Sequence, residues 1–228
     1  MRIGKRAVML LLASVASVSC GATFSEPKKT ATIEAEGKEL EEIADRYHAL
    51  GNSFIASSPD SAIMFYQKAL EKNPNHLLSL YHLGEAHLIS HNYSKAEETH
   101  KRAIGINPKN PESWRHLALT YDNSGRYQEA ANCWREIIRL CESKDHEIRL
   151  ILQKSLGMTP DNYAICTYLF LAQSSMRAGQ LNDALEAANQ VLRKRDPNFI
   201  PLLYIRAQIL EKMGEYRKAI EDYEMLIT

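Results

Sequence analysis

An internal repeat constrains this chain more than any other feature. Residues 77–110 read LLSLYHLGEAHLISHNYSKAEETHKRAIGINPKN, and residues 111–144 read PESWRHLALTYDNSGRYQEAANCWREIIRLCESK. Sliding one block over the other by 34 residues sets Leu83 on Leu117, Gly84 on Ala118, Ala96 on Ala130 and Ile104 on Ile138. Self-similarity at a fixed period means that one supersecondary unit recurs and hides its apolar side on copies of itself. Inside each block apolar residues return at threes and fours, as a helix with one buried face requires. Gly and Pro are few, and no long β-branched run appears, so the chain reads as all-helical.

The pattern extends in both directions. Upstream, Leu40, Ile43, Tyr47, Leu50 and Phe54 mark one helix from about Lys38, and Ala62, Phe65, Tyr66, Ala69 and Leu70 mark its partner. Downstream, residues 145–160 fit no repeat; Ile148, Leu150, Ile151 and Leu156 predict a short extra helix that shifts the stacking. A fourth unit resumes at Asp161, read as a helix N-cap, and a fifth carries Leu203, Ala207, Gly214, Tyr216, Ala219 and Tyr223. The units resemble tetratricopeptide (TPR) repeats. Trp114, Leu117, Ala118, Tyr121, Gly125, Ala130 and Trp134 make the third unit the fullest match, while His87 and His100 replace aromatics in the second. The expected fold is an all-α, right-handed α-solenoid of about five TPR-like helical hairpins with one inserted helix, after an N-terminal signal segment. Units one to three span 38–144, the inserted helix 145–160, and units four and five 161–228.

The N-terminus is a separate matter. Arg2, Lys5 and Arg6 precede an uncharged apolar run from Ala7 to Ser19, too short for a membrane-spanning helix. Residues 1–20 therefore read as an export signal. Its end, SVSC before Gly21, resembles a bacterial lipobox, although Ser17 stands where an aliphatic residue is usual. The resemblance implies lipidation of Cys20 and an anchor in the cell envelope, at the outer membrane facing the periplasm; plain signal cleavage would instead leave a periplasmic or secreted chain. Residues 21–37 are polar and lack a hydrophobic period, so they read as a flexible tether. Cleavage takes the formal charge from zero to −3, which gives nucleic acid no electrostatic hold. Cys133, Cys141 and Cys166 are left over; three thiols make no disulfide framework, and they read as small buried residues.

Signatures of catalysis are missing: no Gly-rich phosphate loop after a strand, no G-x-S-x-G, no Cys-x-x-Cys. The chain reads as no enzyme, with no cofactor. His87 and His91 stand four apart with His100 in the facing helix, but no closing ligand is evident, so packing explains them and no metal site is read.

In TPR arrays the first helix of each pair lines a concave groove. That resemblance places Asp45, His48 and Asn52, then Tyr81, His82, Glu85 and Ile89, then Glu112, Arg115, His116, Leu119 and Asp122 on one surface. Phe170, Gln173, Arg177, Tyr204 and Gln208 continue it. His48, His82 and His116 recur at intervals of 34, either as contacts for a partner or as neutral filler inherited by duplication. The carboxylate clamp of cytosolic TPR co-chaperones is not matched: His48, His82, Glu112 and His116 occupy its Lys, Asn, Lys and Arg positions. The expected function is a protein- or peptide-binding scaffold of the bacterial envelope, with a pilotin-like role at type IV pili as one version. The alternative is an accessory of a periplasmic solute transporter with a small-molecule cavity. Leu203, Tyr223, Met225 and Leu226, in an uncapped last unit, are expected to meet another copy or a partner.

Overall fold

The computed structural model describes residues 27–143, 145–194 and 196–227; the signal segment, Cys20 and residues 21–26 lie outside the described residues. Eleven helices and no strand are found among the described residues. They are α1 (Pro27–Phe54), α2 (Pro59–Lys72), α3 (Leu77–Ile89), α4 (Tyr93–Ile106), α5 (Pro111–Asn123), α6 (Tyr127–Glu142), α7 (His146–Leu156), α8 (Pro160–Arg177), α9 (Leu181–Lys194), α10 (Ile200–Lys212) and α11 (Tyr216–Met225). Residues 40–228 form one compact unit, and the described residues before it belong to α1.

Helix α1 begins at Pro27, not near Lys38, so residues 27–37 are helical and not a tether. Proline suits a first helical position, and the Ala- and Glu-rich TATIEAE stretch has adequate helix propensity without an apolar stripe. Helix α8 starts at Pro160 with Thr159 as its cap, accepting from the Asn162 N–H at 3.3 Å; Asp161 sits in the first turn. The proline again fixes the start.

Five hairpins stack in chain order: α1/α2, α3/α4, α5/α6, α8/α9 and α10/α11. Each second helix also packs on the next unit's first helix, α6 directly on α8, so stacking continues past α7. Helix α7 is an outrigger, fixed by Ile148 and Leu152, which are fully or almost fully buried, and ended by Gly157 in the left-handed conformation. Lys109 reaches from the second hairpin's end to Asp145 and Glu147, 3.0 Å from each.

Close approach within the first two hairpins depends on glycine. A Cβ on Gly51 would stand 2.3 Å from the Tyr66 ring, and one on Gly84 would stand 2.0 Å from His100 Nε2. Tyr66, His100 and Trp134 are spaced by 34 and fill equivalent places in three successive units. The turns inside the third, fourth and fifth hairpins hold Gly125, Gly179 and Gly214 at φ of 77°, 77° and 79°. The second hairpin has His91 there instead, at φ 55°.

The buried apolar residues fall into two clusters. One joins the first and second hairpins through Ala62, Tyr66, Leu70, Leu80, Leu83 and Ala103. The other runs from Leu117 in α5 to Ile209 in α10, with Ile104 of α4 packed at its edge. Between them lies a buried polar layer. Tyr81 Oη meets Ser113 Oγ at 2.8 Å and accepts from Asn110 Nδ2 at 3.0 Å. His100 Nδ1 lies 2.8 Å from Thr120 Oγ1, and Thr120 donates to the His116 carbonyl at 2.9 Å.

Two expectations about burial change. Leu203 is core and only 1% exposed; Ile220, Met225 and Ile227 are the exposed apolar residues near the end of α11. Cys133 and Cys141 are buried, but Cys166 is exposed. The i, i+4 pattern of α8 puts Tyr163, Ala164, Thr167, Leu171 and Ala172 inward and leaves Cys166 on the opposite side.

Candidate functional site

Helices α3 and α5 stand side by side with their solvent faces turned the same way. Between those faces runs a groove of about 600 Å³. Tyr81, His82, Glu85, Arg115, His116 and Leu119 line it, together with Leu78, Ile89, Glu112 and Asn123, and with Leu156 from α7. Pro111 and the Asn110 cap, which accepts from the Glu112 N–H at 3.0 Å, start α5 at a fixed register, and that register aims Arg115 and His116 into the groove.

Histidines recur along this surface in two separate pairs. His48 Nε2 and His82 Nδ1 are 2.7 Å apart with the rings stacked at 4.9 Å between centroids. One nitrogen must donate and the other accept, so the pair holds a single proton between them. His116 stacks on Tyr81 at 4.7 Å and lies 5.3 Å from His100. Burial pushes His48 down to about 4, helped by His82 and His76 and opposed by Asp45. His82 is lowered too, mainly by burial. Burial takes His100 to about 4, and takes His116 to about 2 with help from Arg115, His100 and His82. These imidazoles are neutral at pH 7.

The register residues do not all face the groove. Asn52 accepts from Tyr66 Oη at 2.9 Å and ties the first hairpin together. Asp122 accepts from Ser174 Oγ at 2.7 Å and from Trp134 Nε1 at 3.1 Å, so it joins α5 to α6 and α8; burial raises its pKa. Glu112 is buried, accepting from Tyr163 Oη at 2.5 Å and pairing with Arg115 at 2.7 Å. Asp45 stays 59% exposed, 3.1 Å from His76 Nε2. Phe170 covers Trp134 as a stacked ring at 4.9 Å. Arg177 lies over the Tyr127 ring at 5.7 Å. Leu156 and Leu78 were outside the register, and Leu156 could not be found from the repeat because α7 is not part of it.

His87, His91 and His100 do not converge. His91 meets Tyr93 Oη on the surface, His100 is buried against Thr120, and His87 Nδ1 is buried without a partner. Among the described residues no group of three or more His, Cys, Asp or Glu is placed to hold a metal ion. Burial drives the Cys133 thiol up to about 12, which leaves it unreactive.

Known proteins resemble this chain in sequence over part of its length and in fold. Residues 171–228 match the family model for the tetratricopeptide repeat, and residues 57–137 match the model for anaphase-promoting complex, cyclosome, subunit 3. Residues 171–228 thus carry tetratricopeptide-repeat sequence. Solved structures agree on the fold. MamA (residues 41 to the end) from Desulfovibrio magneticus RS-1 superposes with a TM-score of 0.62 at 14% identity, over 82% of this chain and 95% of that one. Pseudomonas aeruginosa pilF gives 0.59 at 19%, over 83% and 77%. YrrB, described as a TPR protein with an unusual peptide-binding site, gives 0.59 at 18%, over 85% and 91%. Among curated sequences, human protein O-mannosyl-transferase TMTC1 is 29% identical over 67% of this chain. TPR repeat-containing protein MJ1428 of Methanocaldococcus jannaschii is 28% identical over 58%. The matches span only 19% and 25% of those two proteins.

Proposed function

We propose that this TPR chain is a non-catalytic scaffold that holds a protein or peptide partner in the groove between α3 and α5. The observation that carries this reading is the groove itself: an open trough whose polar and aliphatic side chains come from adjacent repeats and are already fixed by contacts behind them. Fixed side chains lower the entropy cost of binding an extended segment. YrrB, similar in fold, is described with a peptide-binding site of its own, which supports the same use here. A lipid on Cys20 would hold the chain in the bacterial envelope, at the outer membrane facing the periplasm. There it would assist assembly or localisation of a membrane complex; piloting of a type IV pilus component is one version. Among the described residues no helix is long and apolar enough to cross a membrane.

The transporter-accessory alternative needs a closed apolar chamber. The cavity of about 620 Å³ beside α7 is lined by Glu142, Asp145, Arg149 and Asp161 as well as Ile148 and Met158, which does not favour it.

Capture from detergent-solubilised membranes tests the proposal, comparing wild type, Cys20→Ala and the groove variant Leu119→Asp. The expected result is acyl labelling of wild type and Leu119→Asp but not of Cys20→Ala, with a specific partner recovered by wild type and lost with Leu119→Asp. Equal recovery with the groove variant would defeat groove binding, and unlabelled wild type would defeat the anchor.

A further inference from the structure

The groove has a charge and an aliphatic wall that set it apart from a neutral trough. On the groove-side register from α1 to α5 stand four carboxylates, Asp45, Glu85, Glu112 and Asp122, and one guanidinium, Arg115. Arg115 is already matched by Glu112 at 2.7 Å, and Asp122 is turned toward Ser174 and Trp134. The charges left facing solvent are those of Asp45 and Glu85. Glu85 is exposed and has neither ion pair nor hydrogen bond to any described residue. Its neighbours His82 and His116 are neutral imidazoles, and the Arg115 guanidinium, though within electrostatic reach, is bonded to Glu112.

Aliphatic side chains share the groove with this carboxylate. Leu78 is 50% exposed, Ile89 48% and Leu156 39%, and Leu119 lines the same groove. Leu156 comes from the outrigger α7, which Ile148 and Leu152 anchor in the core, so this wall stands before any partner arrives.

Building on the groove-binding reading above, we propose that the groove selects a basic, leucine-bearing segment of a partner protein. A Lys or Arg of that segment sits against Glu85, and an aliphatic side chain enters between Leu78, Leu119 and Leu156. Burying exposed leucines supplies the non-directional attraction, and the unmatched Glu85 carboxylate steers and orients the cation. An acidic segment would meet the free Glu85 carboxylate and a guanidinium that is already paired. This occupant is the opposite in charge to the carboxylate tails that the Lys- and Arg-bearing clamps of TPR co-chaperones hold.

A random peptide display library panned against the full chain, with Glu85→Lys and Leu156→Asp as counter-selections, tests both halves. Both positions are exposed, so the variants keep the fold; circular dichroism checks this, and Leu156→Ala serves as a milder form. Enriched peptides should be net basic and carry a leucine-type residue. A synthetic copy, followed by fluorescence anisotropy, should bind Glu85→Lys about tenfold more weakly at low salt, with the difference shrinking as salt rises. Leu156→Asp should also weaken it severalfold. Enriched peptides that are acidic or uncharged, yet lost with Leu156→Asp, would overturn the charge assignment and leave groove binding standing. No enrichment, or peptides indifferent to Glu85, Leu156 and Leu119 substitutions, would overturn groove binding and this proposal with it.

Discussion

Replacing Gly84 by alanine should destabilise the protein, against the usual trend for a helix interior. Helix propensity alone favours alanine over glycine by about 1 kcal/mol. The new methyl would stand 2.0 Å from His100 Nε2 and 2.5–2.6 Å from two ring carbons. Ordinary carbon contacts lie near 3.5–4 Å, so the ring must retreat by about 1.5 Å. His100 is fully buried, with its Nδ1 bonded to Thr120, and has nowhere to go without losing that bond. Overpacking costs about 1–3 kcal/mol and the lost hydrogen bond about 1 kcal/mol. The net is a loss of about 2 kcal/mol, or roughly 4–8 °C in melting temperature for a chain of this size. Gly105 is the control: it is also helical, but a Cβ there meets nothing within 4 Å. Gly105→Ala should therefore be neutral or stabilising by about 0.5 kcal/mol. Urea unfolding at neutral pH, read by circular dichroism, ranks the two. In a His100→Ala background the cost of Gly84→Ala should vanish, since the clashing ring is gone. Equal effects at the two glycines, or a cost that persists without the imidazole, would refute the reasoning.

Three further outcomes follow from other parts of the structure. His91→Gly relieves a left-handed residue at the turn where three other hairpins use glycine, and should raise the urea midpoint by an amount equivalent to about 0.5–1 kcal/mol; a lower midpoint would count against it. Tyr163→Phe leaves the buried Glu112 carboxylate short of one donor and should cost about 1–2 kcal/mol in the same assay, with no change expected if that bond is idle. Stability should also fall on acidification. His48, His82, His100 and His116 bind protons less readily when folded, so the fold favours their neutral forms. Stability is complete above the unfolded value near 6.5 and is lost as pH drops through about 4. For His100, buried against Tyr81, Thr120, Arg115 and His87, moving from 6.5 to about 4 corresponds to about 3 kcal/mol. Urea midpoints across that range should fall steeply, and less so for His100→Gln; identical slopes would show that this imidazole is not a source.

The repeat was legible because its small residues have a steric job. Gly84 had to face something large, and the position that carries Tyr66 and Trp134 in neighbouring units carries His100 in this one. Helical register also placed Tyr81, His82, Glu85, Arg115, His116 and Leu119 along one groove. Register could not tell which of these positions the next unit covers. Asp122 and Asn52 look like their neighbours in sequence, but Ser174, Trp134 and Tyr66 claim them from other helices. Leu156 was illegible as a groove residue for the opposite reason: nothing local says where a helix outside the repeat will lean. The early start of α1 escaped because a helix that continues an amphipathic one needs no apolar stripe of its own.

The polar layer between the second and third hairpins has a mechanical consequence. Oily surfaces can creep past one another with little change in energy, because their attraction has no preferred direction. Hydrogen bonds such as Tyr81 to Ser113 and His100 to Thr120 fit one alignment only. That junction behaves as a keyed coupling: stiff under small loads, and brittle once the key is withdrawn. Tension applied along the array would part it there abruptly, while the greasier joints on either side would stretch first and yield later.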